Sequence, residues 1–346
     1  RAFLEMPEDW EQFEPFMQAG LDRVPALADA GIAHFMNGPE SFTPDSRQLM
    51  GESPYLDNYF VAAGFNSIGM MSSAGVGKAM AQWIIAGEAP MDLWEVDIAR
   101  FDRDAAAKPY LHARMREAVG DVFAMHWPNK QAGAGRDLKH GALHDALAGA
   151  GAVFGAPTRW ERPLWFAAGP AERDFSYGCE DQWWWPYAER ECATITEDVA
   201  LLELSPFAKF DVGGNNALAF LQHCCAANIG VDEGHSVYTQ MLNPRGGIEA
   251  DITVTRTGPR QYRITGGAAT RQRDHAHLRR LAKRFGGNIT LDDRTDHESV
   301  IGVAGPRSRA LLADLGDEDV SAREIEDGQA MRSAIAGVPV RVPRVN

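Results

Sequence analysis

Apolar positions in residues 8–30 recur at helical spacing: Trp10, Phe13, Phe16, Met17, Leu21, Val24 and Leu27. An amphipathic helix interrupted at Pro15 and Pro25 is predicted there. Residues 31–36 read as a short strand closed by the turn signal Asn37-Gly38-Pro39. Residues 59–63 form a second short apolar run, ended by Gly64, and read as a buried strand. A glycine-punctuated turn follows, and residues 76–86 read as a helix stopped by Gly87. Residues 105–122 are helical in pattern, whereas 129–140 turn rich in Gly, Lys and His. Residues 158–185 are crowded with Trp and Pro, which suits packed loops. Beyond Glu189 the pattern alternates: a strand at 207–212, a helix at 217–227, paired strands at 252–256 and 261–265, and a helix at 269–285. Residues 338–346 alternate like an edge strand.

At 346 residues, the chain has room for two or three domains. The composition shift near residue 100 and again near 157 predicts a small linker domain between two larger parts. A net charge of −14 argues against a nucleic-acid partner, which would need a basic surface. It argues in the same direction against an anionic membrane surface. No stretch reaches the roughly 18 apolar residues that span a bilayer. The 4 cysteines are too few for a disulfide framework, and two of them, Cys224 and Cys225, are adjacent. A reduced, cytoplasmic setting is expected, or the mitochondrial matrix in a eukaryote. The chain opens on Arg1 and closes inside an alternating run, so further functional residues are expected beyond both ends.

Two segments carry chemistry. The first is Gly64-Phe65-Asn66-Ser67-Ile68-Gly69, which follows the strand at 59–63 and leads toward a helix. Glycines there permit positive φ and close backbone approach, and a helix start offers unpaired N–H groups to an electron-rich atom. A turn that only packs strand on helix would have the same composition, so the pattern alone leaves both readings open. The second segment is Tyr238-Thr239-Gln240-Met241-Leu242-Asn243-Pro244-Arg245-Gly246-Gly247-Ile248-Glu249-Ala250-Asp251-Ile252. Asn-Pro-Arg-Gly-Gly is a turn between two strands, which predicts a hairpin. Strand periodicity then sends Glu249 and Asp251 to one face and Ile248, Ala250 and Ile252 to the other. Such acids are either solvated or, if buried, hydrogen-bonded or functional.

The text from residue 7 to 100 resembles the C-terminal part of the flavin domain of the dimethylglycine/sarcosine dehydrogenase family. The resemblance rests on Asn37 to Asp45, Gly51-Glu52-Ser53-Pro54, residues 63–77 and Ala81-Gln82-Trp83-Ile84, in family order and spacing. It implies FAD as cofactor, with Ser67, Ile68 and Gly69 against the flavin ring and ribityl chain. It also implies that Phe42, Thr43 and Asp45 lie near the ring or substrate face, although Asp45 after Pro44 also suits a plain turn. The family's dinucleotide fingerprint and flavin-carrying histidine have no counterpart here, the 10 histidines included, so the fragment is not expected to hold FAD alone. His126-Trp127-Pro128-Asn129 and Trp160 to Phe166 resemble the family's central linker and the entry to its folate domain. No metal site is expected from His126, His140 and His144, because Cys and carboxylate partners at ligand spacing are missing.

Residues 238–254 resemble the glycine cleavage T-protein and its folate-domain relatives, through Tyr238, Gly246-Gly247 and Asp251. The resemblance implies tetrahydrofolate as carrier, Asp251 as the key carboxylate on its N10 side, and Tyr238 and Leu242 lining the pterin pocket. Leu204 to Phe210 and Val303 to Arg307 match as framework, with Lys209 and Arg307 open as surface charges or ligands. A second folate-contacting Glu is expected beyond Asn346. The expected fold is α+β and multidomain: residues 1–100 as the C-terminal part of an FAD-dependent oxidoreductase domain, 101–157 as the central linker, 158–346 as the N-terminal half of a T-protein-like domain. The expected activity is oxidative demethylation of a small N-methyl amine with transfer of the carbon to tetrahydrofolate. The alternative is a folate-dependent transferase or binding protein with a non-catalytic flavin domain. The sequence does not specify the amine or the electron acceptor.

Overall fold

The computed structural model describes residues 5–180, 182–316 and 328–344. Helix α1 (Trp10–Arg23) starts at Asp9, whose carboxylate accepts the Gln12 N–H at 3.0 Å. It runs through Pro15, where an interruption was expected. The break comes at Val24, because the residue before Pro25 is pushed out of the helical region (φ −134°, ψ 79°). The strand expected at 31–36 does not form. Those residues find no neighbouring strand among the described residues, and Phe35 instead packs on Trp10 and Phe13 at 4.6 and 5.2 Å.

Strands β1 (Leu49–Glu52) and β2 (Phe60–Ala63) pair antiparallel. Against them lies α2 (Gly69–Ala86), which begins seven residues before the predicted start and ends, as expected, at Gly87 in the left-handed conformation (φ 72°). Met50, Val76, Ala79, Met80 and Trp83 form the small core between them.

Helix α3 (Lys108–Phe123) leads to a compact region in which β3 (Lys139–His140), α4 (His144–Gly149), β4 (Ala152–Gly155) and β5 (Trp160–Phe166) follow one another. The spatial order is β3-β5-β4, so this sheet straddles residues 157 and 158. The packed loops expected at 158–185 therefore include a strand. Trp165 is its anchor, almost fully buried and edge-on to Phe175 and Trp183.

The remaining described chain forms the largest unit. After α5 (Trp185–Glu197) come β6 (Ala200–Glu203), β7 (Ala208–Gly213), α6 (Ala217–Cys224), β8 (Ser236–Leu242), β9 (Ile248–Gly258), β10 (Gln261–Gly266), α7 (Arg271–Phe285) and β11 (Thr290–Asp293). Then follow β12 (Ile301–Ala304), α8 (Ser308–Leu315), β13 (Ala330–Ile335) and β14 (Val338–Pro343). A five-stranded antiparallel sheet has the order β11-β7-β10-β9-β8. Alternate residues of one face (Phe210, Val212, Ile252, Val254, Ile264, Met241) pack on Phe220 and Leu221 of α6 and Leu278 of α7. Each such burial contributes about 1.5–3 kcal/mol. Helix α6 stops three residues short of its expected end, because Ala226 and Ala227 turn to hydrogen-bond Gln240 and Thr239 of β8. The fold is α+β and multidomain.

Candidate functional sites

The flavin-side residues gather where the loop before β1 meets the start of α2. Positive φ at Gly64, Asn66 and Ser67 bends the chain sharply after β2. Asn66 fixes that bend: it accepts the Thr43 N–H at 2.9 Å and donates to the Gly64 carbonyl at 2.6 Å. Thr43 is buried, and Phe42 half-buried beside it. The Ser67 hydroxyl donates to Glu40 at 2.5 Å, and Ile68 is exposed next to it. No side chain caps the start of α2; the Ile68 N–H donates to the Phe65 carbonyl at 3.0 Å, which leaves the donors of the first turn at Gly69 and Met70. Uncapped donors beside exposed Ile68, Met70 and Met71 fit one edge of a flavin.

Asp45 stands in a different environment. Its carboxylate takes two bonds from Arg100, at 2.7 and 2.9 Å, and one from Thr43 at 3.2 Å. The Arg100 side chain is largely buried and also donates to the carbonyls of Arg47, Gln48 and Asp97. Asp45 thus clasps the loop to the 98–100 turn. Asn66 and Arg100, which hold this loop, were absent from the sequence-derived set.

The folate-side residues sit on the polar face of the five-stranded sheet. The hairpin β8–β9 closes as predicted, with Gly246 in the left-handed region (φ 78°) and the Asn243 side chain accepting from Arg245 and Gly247. Ala250 and Ile252 enter the core, whereas Ile248 lies exposed at the turn. Gln240 faces Asp251 across the pair, and Tyr238 is its diagonal neighbour. The Tyr238 hydroxyl donates to Asp251 Oδ2 at 2.7 Å, and Gln240 Nε2 to Oδ1 at 3.3 Å. The hydrogen bond to the carboxylate pushes the Tyr238 phenol up from its ordinary value. Tyr238 is 65% exposed and Asp251 is exposed as well. An open aromatic ring beside a carboxylate fits a flat heterocycle bearing an N–H donor. Leu242 is half-buried at the end of β8.

Elsewhere on the same face, Arg263 is held by Asp211 at 2.6 Å and by Glu298 at 2.6 and 3.0 Å. Lys209, open in the sequence between surface charge and ligand, is neither exposed nor aimed outward. It is buried and donates to the Ser205 and Phe207 carbonyls at 2.8 Å each, and burial pulls its pKa down to about 8. Arg307 is exposed and pairs with Asp198 at 3.2 Å.

Two cavities lie away from the Tyr238–Asp251 pair. One, of about 310 Å³, is lined by Arg136, His144, Phe154 and Glu161; the other, of about 390 Å³, by Tyr55, Arg103, Lys139, Arg271 and Arg279. The His140 and His144 rings stack at 3.8 Å, and among the described residues no three metal-ligating side chains converge. Among the described residues no helix is long and apolar enough to cross a membrane.

Comparison with known proteins gives three family matches in series: residues 2–83 to the FAD dependent oxidoreductase model, 86–140 to the FAD dependent oxidoreductase central domain, and 143–346 to the GCVT N-terminal domain. The 4-methylaminobutanoate oxidase (formaldehyde-forming) of Paenarthrobacter nicotinovorans is 41% identical over 92% of this chain and 39% of its own length. Human mitochondrial sarcosine dehydrogenase is 33% identical over 90% of this chain and 38% of its own. Mitochondrial dimethylglycine dehydrogenase of Rattus norvegicus is 29% identical over 98% of this chain and 39% of its own. The chain thus spans less than two fifths of these curated relatives. It belongs to the family that joins an FAD-dependent oxidoreductase to a glycine cleavage T-protein-like domain, the family of the sarcosine and dimethylglycine dehydrogenases.

Proposed function

We propose that the protein containing this chain oxidatively demethylates a small N-methyl amine and passes the carbon to tetrahydrofolate. The observation that carries the reading is the Tyr238–Asp251 hydrogen bond at 2.7 Å, on the open polar face of a GCVT-type sheet. Three of the relatives' printed names give N-methyl amine oxidation as the activity class. On this reading residues 1–100 contribute one side of the flavin site, 101–157 the linker and 158–346 the folate-side surface.

Bound FAD would supply the acceptor for the hydride that leaves the N-methyl carbon. The residues of this chain have simpler tasks. The first turn of α2 offers N–H donors, and Ser67, Ile68 and Gly69 set its approach, with Phe42, Thr43 and Asp45 shaping the loop beside it. Asp251 accepts a hydrogen bond from the carrier amine and holds the nitrogen that attacks the oxidised, electrophilic carbon. Tyr238 and Gln240 keep that carboxylate in one rotamer, and Leu242 gives the site an apolar edge. Because Tyr238 and Asp251 stand in the open, the reading requires a further wall from outside the described residues. The setting proposed is the cytoplasm, or the mitochondrial matrix in a eukaryote.

A panel of sarcosine, dimethylglycine and 4-methylaminobutanoate, given to the complete protein with and without tetrahydrofolate, tests this. At least one amine should bleach the flavin, and tetrahydrofolate should divert formaldehyde into methylene-tetrahydrofolate. Folate binding without amine-dependent bleaching would instead favour a transferase or binding protein.

A further inference from the structure

The hairpin that carries Tyr238 and Asp251 is fastened to the helix that begins at the flavin-side residues. Arg245, at the hairpin tip, donates to Glu88 Oε1 and to the Ala89 carbonyl, both at 2.7 Å. Arg284, in the last turn of α7, donates to the Gly87 carbonyl at 3.1 Å. Arg284 therefore meets the C-cap of α2, and Arg245 the two residues just beyond it, at the end of the helix where its dipole favours a cation. From the other end of α7, Arg273 donates to the Glu249 carbonyl, in the strand of Asp251. The hairpin is thus held at its tip by the segment that directly follows α2 and along β9 by α7. Helix α2 has 18 residues, about 27 Å of rigid rod, with Ser67–Gly69 at one end and this clamp at the other.

We propose that Arg245 is a positioning residue that locks the folate-side hairpin to α2 and so fixes the two sites relative to one another. The inference rests on the function proposed above. Arg245 is suited to the task because its rigid planar fork aims two separate nitrogens, Nη1 at the Glu88 carboxylate and Nη2 at the Ala89 carbonyl, a geometry that the single nitrogen of a lysine does not reproduce. Its position in an exposed turn means that its replacement leaves the core untouched.

The test uses the complete protein as wild type, Arg245→Ala, Arg245→Lys and Glu88→Ala. Two quantities are read: the ratio of free formaldehyde to methylene-tetrahydrofolate, and amide hydrogen exchange at residues 243–250. Arg245→Ala should raise the ratio about fivefold, the scale expected for losing one partly exposed charged contact, and should speed exchange in the hairpin. Glu88→Ala, across the seam, should do the same to a smaller extent, and Arg245→Lys should recover part of both effects. An unchanged ratio and unchanged exchange in Arg245→Ala would overturn the clamp. If wild type makes no methylene-tetrahydrofolate, the proposed function falls, and hairpin exchange alone decides whether Arg245 holds the seam.

Discussion

Asn66 adopts φ 49°, a left-handed conformation that Asn tolerates better than most residues, and its amide bridges Thr43 and Gly64 across the loop. Alanine there would strain the backbone and strand a buried N–H and a carbonyl. Asn66→Ala should therefore cost about 2–4 kcal/mol in denaturant unfolding, while Asn66→Gly, which relieves only the strain, should cost less. Equal losses in the two variants would show that strain contributes nothing. The sequence pointed to Ser67, Ile68 and Gly69 and passed over Asn66, although an Asn two residues after a glycine is a usable left-handed signal. The partner of Asp45 was not legible at all: Arg100 lies 55 positions away, and only the folded loop brings it within 2.7 Å. Asp251 was legible with Glu249 as a one-face residue through the strand's period of two, whereas Tyr238 was legible only through the family resemblance. Their contact needed the register, which the five-residue turn and a bulge at Leu242 set.

At the scale of elements, the flavin-side unit depends on how closely β1 approaches α2. Gly51 has φ 104°, and a Cβ added there would lie 2.5 Å from the Trp83 ring. Gly51→Ala should destabilise the protein by about 2–5 kcal/mol, from strain and overpacking together, and shift Trp fluorescence. Wild-type stability in this variant would mean that Trp83 is free to move aside. Strand β1 escaped the sequence because it is four residues long and contains that glycine. Helix α2 starts earlier than its pattern suggested because Gly69 to Ala74 has no apolar stripe; Met70 and Met71 are exposed. Strand β5 was hidden by Pro163, which a central strand excludes. It is accommodated because β3 pairs only with Trp160 and Glu161, and β4 is irregular opposite the proline. The β8–β9–β10 meander was readable because alternation and turn residues agreed there.

At the scale of the whole molecule, a chain of net charge −14 places Arg245, Arg280, Lys283 and Arg284 on the seam between the flavin-side and folate-side units. Arg280 of α7 approaches Glu52 at 4.0 Å, and Lys283 meets Asp57 at 2.5 Å. Behind them Asp97 is buried, and burial pushes its carboxyl from an ordinary 3.8 up to about 6, against the pull of Arg280 and Arg273. A carboxyl raised on folding contributes stability that is present below pH 4 and lost as pH rises through 6. Asp97→Asn keeps an acceptor for the Ala99 N–H, so the variant should lose less stability than wild type between pH 4 and 7. His277, pulled down to about 4 by burial, acts with the opposite sign but equally in both proteins. Parallel stability-versus-pH curves would remove Asp97 from the seam's charge balance.

The seam matters because it relates two sites that different family segments supply, and the claim joining them is that Asp251 receives the carrier of the carbon. Single-turnover analysis of the complete protein, wild type against Asp251→Asn, tests this most directly. Flavin reduction by the amine should proceed at the wild-type rate. The yield of methylene-tetrahydrofolate should fall about tenfold or more, corresponding to the loss of one charge-assisted hydrogen bond, with the missing carbon released as formaldehyde. An Asp251→Asn protein that still delivers the full methylene-tetrahydrofolate yield would contradict the account.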